Sequence, residues 1–265
     1  MLLHVHRQGS GRPIVVLPAY GIDHVGMTMA LEPAFAGVAG SQRLYVDLPG
    51  TGGVPATEPT ADAVLDCVVE TIRGELGDQR FLLAGWSFGG YLAAGVVRRM
   101  PSHVAGLLMI CSGFKILPED RDLSGVLDSA PAAGWLDGVE PDLQEHLQQA
   151  VGLQTASVAG RIVQMLDSVG ATDDDFLATL RARGFALSDE DEATPCDGPV
   201  LLVAGRRDRV AGYRGLLRSM ESYDHATFLA ESESGHYLPL ERPRVFAAAV
   251  QSWLEMSAEV HPERG

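Results

Sequence analysis

Gly85-Trp86-Ser87-Phe88-Gly89-Gly90 is the stretch whose residue types and spacing point most directly to chemistry. It reads G-x-S-x-G and lies between an apolar run at 81–84 and a Gly/Ala-rich helical pattern at 88–100. A serine hydroxyl is a weak nucleophile at neutral pH. It needs a base to take its proton and N–H donors for the oxyanion formed when it attacks a carbonyl. A sharp strand-to-helix turn supplies the donors, because a helix N-terminus carries unpaired N–H groups and a positive partial charge. Such a turn strains the serine backbone. Glycines two residues before and two after it leave room where Cβ atoms would clash. The expected chemistry is attack by Ser87 on an acyl carbon.

Elements must hold that serine in place. Short apolar runs at 14–17, 44–48, 81–84, 104–110 and 200–204 each stop at or near turn residues. Continuous runs of this kind suit strands buried on both faces. Residues 2–6 alternate and predict an edge strand, and 226–229 predict a further short one. A helix is predicted over 61–76, where Val64, Leu65, Val68, Val69 and Ile72 recur at helical spacing. Others are predicted over 88–100, stopping before Pro101, and over 244–256 after Pro243. Alternating strands and helices predict an α/β fold with a mostly parallel, doubly wound sheet and right-handed crossovers. From 117 to 194 no strand pattern occurs, only helical pieces at 143–151, 159–169 and 175–183. This stretch is expected to be a helical cap inserted over the sheet's C-terminal edge, leaving 1–116 and 195–265 as the core.

With 265 residues, 46% of them hydrophobic, the chain is long enough for a sizeable core. Its formal charge of −15 argues against a nucleic-acid partner, which needs a basic face. The same charge gives polyanionic substrates an unfavourable mean field that only a local basic pocket overrides. The acidic runs at 173–175 and 189–192 are expected in solvent. Three cysteines without metal-ligand spacing predict neither a disulfide framework nor a zinc site. Met1 to Arg12 lacks the long apolar stretch of a signal peptide, and no run reaches the length of a membrane span. A soluble cytoplasmic protein is therefore expected. Pro49-Gly50-Thr51-Gly52-Gly53 lacks the Gly-Lys-Ser/Thr of a phosphate loop. No cofactor or metal is expected.

The elbow in its strand–turn–helix setting resembles the α/β-hydrolase superfamily, and the resemblance runs from residues 2–6 to the last helix. It implies a triad in the order nucleophile, acid, histidine. The family's Gly-x-x-Asp after a late buried strand matches Gly205 and Asp208. The position some relatives use, after the preceding sheet strand, reads Cys111-Ser112-Gly113-Phe114-Lys115 and offers no carboxylate. The family's G-H-x-x-x-x-E-x-P loop matches Gly235, His236, Glu241 and Pro243, which makes His236 the base and Glu241 structural. His236 would take the Ser87 proton and return it to the leaving group, and Asp208 would orient the imidazole. The oxyanion would rest on the N–H groups of Phe88 and Tyr20. Relatives carry His-Gly where this chain has Pro18-Ala19, and Pro18 has no N–H.

Trp86 and Tyr237 are candidate pocket residues, and Trp135, Leu136 and Phe176 face either the pocket or the interior of the cap. His4 and His6 share a face of the predicted edge strand without a third metal ligand. His24, His103, His146, His225 and His261 read as solvated or structural. Gly-Trp-Ser-x-Gly-Gly is similar to the elbow of bacterial pimeloyl-ester carboxylesterases. The expected substrate is a small-molecule carboxylic ester with a small or medium apolar acyl group. The same triad serves amide and prolyl peptide hydrolases, lactonases, C–C bond hydrolases, acyltransferases and perhydrolases, and a non-catalytic binding protein can share the fold. Dehalogenases and epoxide hydrolases carry Asp where this chain has Ser87. The sequence leaves the oligomeric state open.

Overall fold

Apolar runs with no polar face form strands only where both sides are covered, and that is how this sheet is built. A computed structural model describes residues 1–36 and 38–259. Among them are β1 (Val5–Gly9), β2 (Arg12–Leu17), β3 (Ser41–Val46), β4 (Phe81–Trp86), β5 (Val104–Ile110), β6 (Val200–Gly205) and β7 (Ala226–Glu231). They form one seven-stranded sheet in the order β1-β3-β2-β4-β5-β6-β7. β1 runs antiparallel to β3, and every other pairing is parallel. Successive strand side chains point to opposite faces, so β2 splits between two cores. Val15 and Leu17 join one, Ile14 and Val16 the other.

The first core is closed by α2 (Ala61–Leu76) and α3 (Phe88–Arg99), through Val64, Leu65, Val68, Leu92 and Val96 among others. The second is closed by α1 (His24–Phe35) and α9 (Pro243–Glu259), through Met27, Leu31, Phe246, Val250 and Trp253. Between β5 and β6 come a 3₁₀ turn at Pro118–Asp120 and the helices α4 (Pro141–Ala150), α5 (Ala156–Asp167) and α6 (Asp174–Arg183). This segment does not close on itself. Phe176, Leu180 and Leu187 pack into the first core, and Leu147, Ile162 and Met165 into the second. Trp135 and Phe176 are likewise buried in these cores, with Phe176 lying against Gly50. α7 (Arg214–Ser219) follows β6, and α8 (Leu238–Glu241) precedes α9.

The predicted edge strand is displaced. It begins at Val5, not residue 2, and continues to Gly9, because its partner β3 starts earlier than its apolar run, at Ser41. The polar start of β3 is accommodated because Glu32 forms two hydrogen bonds with the Arg43 guanidinium, at 2.9 and 2.7 Å. α1 carries no sequence expectation, since Pro33 interrupts its pattern. Its start is nevertheless secured by Asp23, whose carboxylate accepts from the N–H groups of Val25 and Gly26. The acidic run at 189–192 is not wholly solvated, as Asp189 binds the buried Arg98 guanidinium at 2.8 Å. No helix among the described residues is long and apolar enough to cross a membrane.

Candidate active site

Ser87 sits where β4 ends and α3 begins, with φ 54° and ψ −117°. A left-handed φ at a non-glycine residue is strained by roughly 1–3 kcal/mol and persists only when its surroundings enforce it. Here they do. The Ser87 N–H donates to the Ile110 carbonyl at 2.9 Å, and the Ser112 hydroxyl donates to the Ser87 carbonyl at 2.7 Å. The flanking glycines permit the bend. A Cβ on Gly85 would lie 2.3 Å from the Gly89 carbonyl oxygen, and one on Gly89 would lie 2.2 Å from that of Leu17. The turn is thus wedged against the end of β2.

Two loops bring the partners. After β6 the chain turns at Gly205 and reaches Asp208, which is fully buried. Its Oδ1 accepts the Val210 and Ala211 N–H groups at 2.8 and 2.9 Å. Oδ2 lies 2.9 Å from His236 Nδ1. The His236 loop is packed glycine to glycine against this turn and against the inserted segment. A Cβ on Gly205 would meet the Gly235 carbonyl at 2.3 Å, and one on Gly235 would meet the Ala150 carbonyl at 2.2 Å. The His236 N–H donates to the Ala150 carbonyl at 2.6 Å, and Trp86 Nε1 donates to the His236 carbonyl at 3.0 Å. His236 Nε2 stands 2.9 Å from Ser87 Oγ. A carboxylate oxygen accepts at Nδ1, so the imidazole proton belongs there, and Nε2 is left to accept from the serine hydroxyl.

Glu241 holds this arrangement from behind. Its two carboxyl oxygens accept four backbone N–H groups, from Gly152, Leu153, Gly235 and Tyr237, at 2.7 to 3.1 Å. Burial pushes this carboxyl up to about 7, against the backbone donors that favour the ion.

A cavity of about 280 Å³ opens beside Ser87 and His236, at the small end for ligand pockets. Trp86, Tyr237 and Tyr20 line it, as do Leu143, His146, Leu166 and Arg181 from α4, α5 and α6. A smaller recess of about 30 Å³, sharing Ser87, Val210 and His236 with the cavity, includes Arg121. Ser87, Asp208 and His236 are therefore brought together, with Trp86, Tyr20 and Tyr237 around them. Phe88, the first residue of α3, stacks on Phe185 with ring centres 4.8 Å apart. Sequence reasoning missed His146, whose Nε2 lies 2.9 Å from the Tyr237 hydroxyl, and Arg181, which lies over the Tyr20 ring. Neither carries a local motif. Only the approach of two separate helices makes them lining residues.

The remaining histidines separate from this site. His4 Nδ1 and His24 Nδ1 both hydrogen-bond Asp47 Oδ2, at 2.7 and 2.8 Å, and Asp47 Oδ1 accepts the His24 N–H at 2.6 Å. The His4–His6 strand face is thus not the meeting point. A buried carboxylate from the end of β3 joins His4 to His24, and the three ligand-type atoms lie within 4.8 Å of one another. None of these residues lines the Ser87 cavity. His261 lies outside the described residues.

Comparison with known proteins agrees with this architecture. Residues 14–249 match the profile of the Alpha/beta hydrolase family. The chain is similar to the pimeloyl-[acyl-carrier protein] methyl ester esterase of Shewanella sp. (strain MR-7). The two are 23% identical over 261 residues, covering 95% of this chain and 94% of that protein. The protein of the same name from Legionella pneumophila (strain Paris) is 28% identical over 160 residues, 58% of this chain and 59% of its own length. Among solved structures, an alpha/beta superfamily hydrolase from Oenococcus oeni PSU-1 superposes with a TM-score of 0.84 at 22% identity, over 97% of this chain and 98% of that one. A thermophilic esterase from Thermogutta terrifontis gives 0.71 at 21% identity, over 96% and 93%. With most of its length matched to the family profile, this chain belongs to the alpha/beta hydrolase family and is one of its enzymes.

Proposed function

We propose that this protein is a serine hydrolase that cleaves a small-molecule carboxylic ester through an acyl-serine intermediate. The observation that carries the reading is the unbroken relay from Asp208 Oδ2 to His236 Nδ1 and from His236 Nε2 to Ser87 Oγ, with both separations 2.9 Å. In this reading Ser87 Oγ attacks the acyl carbon while His236 Nε2 takes its proton. The oxyanion accepts the N–H groups of Phe88 and Tyr20, each donor worth about 100- to 1,000-fold in rate. Collapse of the tetrahedral intermediate breaks the bond to the alcohol, which leaves with the proton from His236. Water, deprotonated by the same imidazole, then releases the acid and restores Ser87.

The acyl group is of small or medium size and largely apolar near the reacting carbon, since Ile22, Trp86, Leu143, Leu166 and Tyr237 line the cavity. The named relatives, which are methyl ester esterases, support an ester over an amide. A cytoplasmic setting fits such a substrate. The test is a series of p-nitrophenyl esters graded by acyl length, run beside p-nitroanilides of the same acids. Ester turnover that is lost in Ser87→Ala is the expected result. Turnover of the anilides alone, or ester turnover that persists in Ser87→Ala, would overturn the reading.

A further inference from the structure

The charge around Ser87 is opposite to that of the whole chain. The sequence holds 35 acidic residues against 20 arginines and lysines. Yet no Asp or Glu lines either the cavity or the recess beside Ser87, whereas Arg181 lines one and Arg121 and Lys115 line the other. Lys115 is neutralised by Glu190 and Asp191. Arg181 and Arg121 have no such close partner, although the Asp208 and Glu119 carboxylates act on Arg121 at longer range. Among the described residues neither forms an ion pair with a carboxylate. Arg121 spends three N–H groups on the carbonyls of Ile116 and Val210. Arg181 lies over the Tyr20 ring, 5.0 Å from its centre, an arrangement that leaves the edge of its planar fork available for hydrogen bonds.

Neighbouring groups sense this charge. Burial and the like charge of Arg181 both hold the Arg121 guanidinium below its ordinary value. Burial, then His236 and Arg181, push His146 below the usual imidazole range. Among the groups lining the cavity, Arg181 carries the permanent positive charge. A guanidinium facing a partly enclosed space beside a nucleophile, with no protein carboxylate opposite it, is suited to a carboxylate that arrives with the substrate.

We infer that the cavity beside Ser87 contains an anion subsite, with Arg181 as the receiving group and Arg121 adding positive charge from the adjoining recess, so that the preferred ester carries a free carboxylate. This rests on the serine-hydrolase reading and narrows its substrate class. It also answers the unfavourable mean field, because a local pair of arginines offsets the net charge where it matters.

The test uses two pairs of esters. In the first, p-nitrophenyl monoesters of succinate, glutarate and adipate are compared with their methyl-capped neutral forms, which locates the carboxylate on the acyl side. In the second, 4-carboxyphenyl butyrate is compared with 4-carbamoylphenyl butyrate, which locates it on the leaving group. In one pair kcat/KM is expected to favour the anion by about tenfold, the scale of a partly exposed charge-assisted hydrogen bond. Arg181→Gln should abolish that preference, and Arg181→Lys should keep part of it. Wild-type protein should also be inhibited competitively by glutarate and not by glutaramide, a readout that needs no variant. Equal or better turnover of the neutral member in both pairs would overturn the subsite and leave the hydrolase reading intact. So would a preference that survives in Arg181→Gln. Failure to hydrolyse any of these esters would remove both.

Discussion

At the scale of single residues, Ser87 combines two properties that substitution separates. Its hydroxyl stands 2.9 Å from His236 Nε2, and its backbone is held at φ 54°. Ser87→Ala is expected to lower kcat by up to about a million-fold with the fold intact, as steady-state kinetics and circular dichroism would show. Ser87→Gly should be equally inactive yet more stable than wild type by about 1 kcal/mol in urea unfolding. Glycine relieves roughly 1–3 kcal/mol of strain and gives back part of that in unfolded-chain entropy. Asp208→Asn should lower kcat by about 10⁴-fold, because an amide N–H facing Nδ1 favours the wrong imidazole tautomer. A mild effect there would show that another group orients His236. Ser87, Asp208 and His236 were legible in the sequence because each lies in a turn that constrains its neighbours' spelling: Gly85 and Gly89, Gly205, and Gly235 with Glu241 and Pro243. His146 and Arg181 were not legible, since an ordinary helical position says nothing of which cavity its side chain enters.

At the scale of elements, the site depends on backbones that approach closer than any side chain allows. Gly89→Ala sets a favourable helix propensity of about 1 kcal/mol against a Cβ 2.2 Å from the Leu17 carbonyl oxygen. The clash should win, destabilising the protein by about 2 kcal/mol or more and lowering activity as the elbow shifts from β2. Urea unfolding and ester turnover would read both. Glu241 links the inserted segment to the His236 loop, and its lowered acidity gives a definite sign. Between its ordinary value of 4.5 and about 7 the folded state binds the proton more tightly than the unfolded chain does. This group's contribution is therefore full below about 4.5 and is lost as pH rises to about 7, a fall of about 3 kcal/mol. Glu241→Gln should lack that fall, as unfolding free energies at pH 4.5 and 8 would reveal. No extra pH slope in wild type relative to the variant would contradict it. The buried strands were readable because a parallel sheet demands continuous apolar runs. α1 was not, because Pro33 lies in its last turn and apolar residues surround it, while its Asp23 cap was a signal left unused.

At the scale of the whole molecule, a helical stretch between β5 and β6 was predictable from the absence of strand pattern, and its three helices lie close to the predicted positions. How its apolar residues would divide between the two faces was not legible in the helical pattern. Its apolar residues divide between the two faces of the sheet, so its helices are fixed by the same burial that fixes the strands. Leu143, Leu166 and Arg181 of this segment wall the cavity beside Ser87. Net charge belongs to the same scale. A net charge of −15 does not fix the sign inside the site, where Arg181 lines the cavity.

The central claim is that Ser87 is a nucleophile activated by His236. Covalent capture by a fluorophosphonate probe, read by peptide mass spectrometry on the intact folded protein, tests it most directly. The adduct is expected on the peptide carrying Ser87, absent in Ser87→Ala and formed far more slowly in His236→Ala. Folded protein that stays unmodified, or labelling at the same rate without the imidazole, would contradict it.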